Sequence, residues 1–291
     1  MKPIASLLLA TALLPAMAQD SAQHHLADAA AAYNAGHLDS AKAEVERAIA
    51  LDPAMAKAFK LRGDIHQRHQ LYEAAMADYN KAEDLDNKAP RLYVSRSALR
   101  ITEGNYKGGL RDADKATALD PKDADAWYNR GWALYQGNDL EAALKSVRRA
   151  LELEPEFPEA LYLSGVIKGA QYDETEGVEE INRALALKPT IPGARMSAAV
   201  LLYEAKRYEE AVPKFTQVIT SDTTELSAAY YYRADCYYNL GDKEHACQDW
   251  NKSMRLGDRD AAFIKKNYCD TDAKKIPKKP KRGRRRTTIQ F

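Results

Sequence analysis

The stretch Ala126-Trp127-Tyr128-Asn129-Arg130-Gly131-Trp132-Ala133, closed further on by Ala150-Leu151-Glu152-Leu153-Glu154-Pro155, decides the fold of this chain. Its ending returns elsewhere as Leu51-Asp52-Pro53, Leu119-Asp120-Pro121 and Leu187-Lys188-Pro189, at spacings of 68, 34 and 34 residues. The period is therefore 34. Laid out on it, repeats begin at Ala22, Ala56, Pro90, Ala124, Pro158, Pro192 and Ser227, the sixth carrying one extra residue.

Each repeat has the pattern of two packed helices. Small residues occupy its eighth position: Ala29, Gly63, Ser97, Gly131, Gly165, Ala199 and Ala234. A larger side chain there would wedge the two helices apart. Ala41, Ala75, Gly109, Ala143, Gly177, Ala211 and Ala246 hold the facing position, and the residue seven further on is also small or apolar, which keeps both on one helical face. Phe59, Tyr93, Trp127, Leu161 and Tyr230, with Val45, Tyr79, Val147, Ile181, Phe215 and Trp250, are expected to be core. Seven of the eight prolines from Pro53 to Pro213 fall at repeat boundaries, where a missing N–H costs nothing at a first helical position. Pro213 is the exception, early in a second helix.

With these residues in place, the chain resembles the tetratricopeptide-repeat (TPR) family over residues 22 to 260. The last unit, from Gly241 to Cys269, is similar to the closing repeat of exported TPR proteins of Gram-negative bacteria. The resemblance implies an all-α, right-handed α-solenoid of about seven helix pairs with a capping helix, placed at Ala261 to Cys269. A helical repeat cannot bury its own apolar face, so neighbours must stack and the ends need caps.

The family lines its concave groove with the second, fifth, ninth and twelfth positions of each first helix. Here the groove would be formed by Lys57, Lys60 and Asp64, then Tyr128, Trp132 and Tyr135 with Asn129 beside them, then Tyr162, Tyr203, Tyr231, Asp235 and Tyr238. Exposed tyrosine and tryptophan are typical anchors for a bound peptide. The family's carboxylate clamp is not reproduced, because Asp64, Val94, Ala98 and Asp125 depart from its pattern. Arg62, Arg96, Arg130 and Arg233 share one repeat position, and Glu44, Asp78, Asp112 and Asp249 another. Pairing within repeats and pairing across them account for this structural ladder equally well.

The two ends differ from the repeats. Lys2, an apolar run from Ile4 to Leu14 and Ala16-Met17-Ala18 have the order of a signal peptide, residues 1–18, with the mature chain beginning at Gln19. An exported protein, periplasmic or secreted, is the expectation. Of the three cysteines, Cys247 and Cys269 could staple the last helix, leaving Cys236 over. His66 and His69 lack a third ligand of recognisable spacing, and His24 and His25 are adjacent and cannot face one site together, so no metal is expected.

At the C-terminus, residues 270–291 read as a disordered basic tail. Lys274, Lys275, Lys278, Lys279, Lys281, Arg282, Arg284, Arg285 and Arg286 stand there without an acid among them. Removing those nine from the chain's 43 lysines and arginines leaves 34 against 42 acids, so the near-neutral total conceals a divided molecule. The tail has no interleaved aromatics to stack bases, which argues against nucleic acid.

No nucleophile, base and orienting group come together in the sequence, and no cofactor is implied. The expected function is a non-catalytic scaffold holding a protein or peptide segment of the cell envelope in the groove. The alternative is a polyanion-binding envelope protein acting through its tail.

Overall fold

The computed structural model describes residues 5–221 and 224–277, with side chains described from residue 19 onward. The described residues form α-helices, one π-helical turn and no strand. The chain divides into two compact units, Met1–Ala133 and Leu134–Phe291.

The first unit contains α1 (Ala5–Asn34), α2 (Leu38–Leu51), α3 (Ala56–Arg68), α4 (Tyr72–Leu85), α5 (Pro90–Thr102), α6 (Tyr106–Leu119) and most of α7 (Ala124–Gln136). α1 runs through the boundary expected at residues 18 and 19. First helices begin at Ala56, Pro90 and Ala124, where the period places them. Second helices end where Asp52, Asp86 and Asp120 turn extended. At Asp52 and Asp120 the following proline disfavours helical backbone. Asp86 has no such proline, yet all three carboxylates accept a hydrogen bond from the backbone N–H two residues on and hold the same turn.

The second unit contains α8 (Leu140–Leu153), α9 (Pro158–Ala170), α10 (Glu174–Leu187), α11 (Ala194–Glu204), α12 (Tyr208–Ser221), α13 (Leu226–Asn239), α14 (Lys243–Arg255) and α15 (Arg259–Ile264), with the π-helical turn Lys265–Cys269. α11 starts two residues after Pro192 because Gly193 adopts φ +72°, a left-handed conformation that cannot enter a helix. Pro213 lies inside α12. Asp139, Asp173, Asp242 and Asp258 each cap the helix that follows, accepting from the N–H three residues on.

Both units bury what the period marks as core. Val45, Tyr79, Val147, Ile181, Phe215 and Trp250 are fully buried, while Trp127 and Tyr230 stay half-exposed. The eighth-position residues are buried throughout. α9 and α10 approach backbone to backbone: a Cβ on Gly165 would stand 2.6 Å from the Gly177 carbonyl oxygen, and one on Gly177 would stand 2.7 Å from the Gly165 carbonyl oxygen.

The arginine ladder resolves into pairs within repeats. Arg62 bonds Asp78, Arg96 bonds Asp112 and Arg233 bonds Asp249, each through two nitrogens. Arg130 differs, reaching Asp114 of the preceding repeat at 2.8 Å, because Ser146 stands where its own repeat would supply the acid. Glu44 turns to His25 and Arg47.

The C-terminal end is a small closed assembly. Cys247 and Cys269 form a disulfide with Cα atoms 5.5 Å apart, and Cys236 is a buried free thiol. Tyr268 packs edge-on against Trp250 and Tyr238. Lys243 stands over the Tyr268 ring and donates to the carbonyls of Thr271 and Ala273. Ile276 is buried, so ordered packing continues past residue 269. Lys274 and Lys275 are exposed, and the remainder of the basic run, Lys278 to Arg286, lies outside the described residues.

Candidate functional site

In the first unit, the N-terminal turns of α3 and α5 frame a cleft of about 370 Å³. Its floor is apolar: Ala56, Ala82, Ala89, Pro90 and Leu92. Lys57, Lys60, Asp86 and Arg91 stand around it. The helical register explains the rim, since Lys57 and Arg91 hold the second position of successive repeats and Lys60 the fifth.

The rim carries both charges, and most of its cations already have acids. Lys60 Nζ lies 2.6 Å from Asp64 Oδ2, while Asp64 Oδ1 accepts from the buried Tyr79 hydroxyl at 2.9 Å. Burial first, and the Asp64 charge second, push the Tyr79 hydroxyl far above the ordinary tyrosine range, so it stays a donor. Arg91 reaches Asp123 at 3.0 Å and Asp125 at 2.7 Å. Lys57 is exposed and has no acid at ion-pair distance among the described residues. The cleft is therefore suited to an apolar side chain, with one available ammonium beside it.

The aromatic part of the expected groove is corrected by the structure. Tyr128, Asn129, Trp132, Tyr135, Tyr162 and Tyr231 are buried, and Tyr203 and Tyr238 are half-buried. The physical reason is contact between neighbouring first helices, one period apart. Asn129 Nδ2 donates to the Val94 carbonyl, Tyr162 shares a hydrogen bond with Ser197, and the Tyr203 hydroxyl donates to Asp235 at 2.9 Å. Burial, reinforced by the Asp235 charge, raises the Tyr203 hydroxyl well above its usual range. Tyr203 packs on Tyr232 and Tyr208, and Tyr238 on Trp250 and Tyr268. Tyr162 and Tyr203 thus join successive repeats, while Tyr238 packs within the last repeat and against its closing turn. Of the expected groove residues, Lys57 and Lys60 alone line the cleft, joined by Arg91, which the same register rule reaches at the next second position.

Helix pairs repeated on a 34-residue period define a helical-repeat scaffold. Tetratricopeptide-repeat models match residues 25–90, 99–160 and 228–256, more than half of the chain, which belongs to the tetratricopeptide-repeat family. Solved structures agree on the fold. A tetratricopeptide-repeat protein from Parabacteroides merdae ATCC 43184 is 19% identical with a TM-score of 0.58, over 84% of this chain and 96% of that one. PilF of Pseudomonas aeruginosa is 20% identical with a TM-score of 0.60, over 71% and 93%. PilW, described as a widely conserved type IV pilus biogenesis factor, is 16% identical with a TM-score of 0.64, over 71% and 97%. No curated protein sequence matches the chain significantly. The family and the fold make the chain a protein-binding scaffold. Among the described residues, no helix is long and apolar enough to cross a membrane.

Proposed function

We propose that this chain is an exported, non-catalytic adaptor that holds a segment of a partner protein across the N-terminal turns of α3 and α5. An apolar side chain of the partner enters the Ala82, Ala89 and Leu92 cleft, and a neighbouring acidic group meets Lys57. The observation that carries this reading is the cleft itself, which opens on the first-helix positions and has an apolar floor beside an ammonium that no described acid neutralises. Export is supported by the order of Lys2, the apolar run and Ala16-Met17-Ala18, and by the Cys247–Cys269 bond, which suits an oxidising compartment.

Ala89→Trp fills the cleft at a half-exposed position, and Lys57→Glu reverses the available charge. Affinity purification of the full chain from its native envelope should recover a partner that both variants lose while their circular dichroism is unchanged. Undiminished recovery with both variants would defeat the proposal.

A further inference from the structure

Most ionic contacts in the first unit join an acid to a base on a neighbouring helix. On the terminal hairpin, three groups capable of ligating a metal converge. His25 and Asp28 lie three residues apart on α1, hence on one face, and Glu44 stands across from them on α2. One ligating atom from each lies within 4.8 Å of the other two. His25 Nδ1 is 2.7 Å from Glu44 Oε2, and the two side chains are only 28% and 23% exposed. Glu44 Oε1 accepts from Arg47 at 2.6 Å, which fixes the carboxylate and leaves Oε2 turned toward His25. Asp28 is exposed, with Oδ2 3.5 Å from His24 Nε2.

The geometry points to a binding site for a divalent transition-metal ion of the zinc class, held by His25, Asp28 and Glu44 with water completing the shell. Tetrahedral zinc bonds nitrogen and oxygen at about 2.1 Å, which sets its donors about 3.4 Å apart. His25 Nδ1 and Glu44 Oε2, 2.7 Å apart, stand inside that spacing, and an Asp28 carboxylate oxygen lies within 4.8 Å of ligating atoms of both. Binding an ion would require the exposed Asp28 side chain to turn inward and the His25–Glu44 pair to open slightly. A hydrogen bond between His25 and Glu44 needs no third donor, whereas a metal ion does.

One imidazole with two carboxylates suits zinc, copper or nickel, while calcium and magnesium favour all-oxygen shells. Arg47 acts as an outer-shell group that orients Glu44. The ion would clamp α1 to α2 and, by binding only the folded hairpin, raise its stability by mass action. His24 approaches Asp28 alone, so adjacency keeps the two histidines in different roles.

The test uses the full chain with zinc chloride, then magnesium chloride, read by titration calorimetry and thermal unfolding. Wild type should bind one zinc ion and melt higher with zinc but not with magnesium. His25→Ala, Glu44→Gln and Asp28→Asn should each lower zinc affinity at least about tenfold, as the loss of an outer-shell partner alone can do. His245→Ala, which removes a histidine that meets Asp242 and Tyr237 on the second unit, should change neither zinc affinity nor the zinc-induced rise in melting temperature. Asp28→Asn separates binding from folding, because that side chain is exposed. Absence of saturable zinc binding in wild type, or affinity unchanged in His25→Ala and Asp28→Asn, would overturn the inference.

Discussion

Replacing Gly165 by alanine adds one methyl group where α9 and α10 touch backbone to backbone. The new Cβ would stand 2.6 Å from the Gly177 carbonyl oxygen, 2.7 Å from Ile181 Cγ1 and 3.2 Å from the Ile181 nitrogen. The first distance is about 0.8 Å short of an ordinary 3.4 Å contact, and two of the three obstacles are backbone atoms that no rotamer change removes. Two effects oppose each other. Alanine gains about 0.8–1 kcal/mol over glycine in a helix interior. Overpacking costs about 1–3 kcal/mol, toward the upper end where a neighbouring backbone must move. The net effect is a destabilisation of about 2 kcal/mol. Urea unfolding followed by helical circular dichroism reads this as a midpoint lowered by about 1 M, for a slope near 2 kcal/mol per molar. A Gly165→Ala variant as stable as wild type, or more so, would refute the argument that close helix approach demands a residue without a Cβ.

Asp112→Ala removes the acceptor shared by Arg96 and Arg100 and leaves the Arg96 side chain, 5% exposed, with Glu83 and Asn80 as partners, so it should cost about 2 kcal/mol. Arg96→Met combined with Asp112→Leu should recover most of that loss in the same urea assay. Glu83 is held at about 2, below its ordinary 4.5, chiefly by the Arg96 hydrogen bond. Its folded pKa is depressed, so its contribution is present above pH 4.5 and lost as pH falls toward 2. Melting temperatures measured across that window should fall less steeply in Glu83→Gln than in wild type. Reducing the Cys247–Cys269 bond opens a segment with a sequence separation of 22 and should destabilise the C-terminal end by about 3 kcal/mol. Trp250 fluorescence, with Tyr268 packed on its ring, would report the loosening, and an unaltered emission and melting profile would contradict it.

The fold was legible in the sequence because the 34-residue period is written in residues with no alternative role. Alanine, glycine or serine at the eighth position and an apolar or aromatic residue at the twenty-fourth each answer a steric demand that recurs in every repeat. Helix starts at Ala56, Pro90, Ala124 and Pro158 followed from it, and the shift to Ala194 follows from the left-handed Gly193. The arginine ladder was only half legible. Spacing allows Arg62 to meet Asp78 or Glu44, and the choice depends on which helix lies nearer once the pairs are packed.

The site was less legible for a related reason. Register tells which side of a first helix a residue occupies, but not how closely the next first helix follows. Tyr162 and Tyr203 carry the pattern of an exposed binding face, yet their hydroxyls meet Ser197 and Asp235 one repeat later. Lys57, at a helix's first turn, escapes this closure. His25 and Glu44 are 19 residues apart with no motif between them, so only the folded hairpin brings them together.

Whether a partner lies against α3 and α5 is tested most directly by cross-linking in place. A photoreactive amino acid placed at Lys57, and in a control at the exposed Lys81 of α4, would be activated in intact cells producing the full chain. A discrete cross-linked protein is expected from position 57, absent from position 81 and abolished by Ala89→Trp. Equal cross-linking from both positions, or a position 57 product that survives Ala89→Trp, would contradict it.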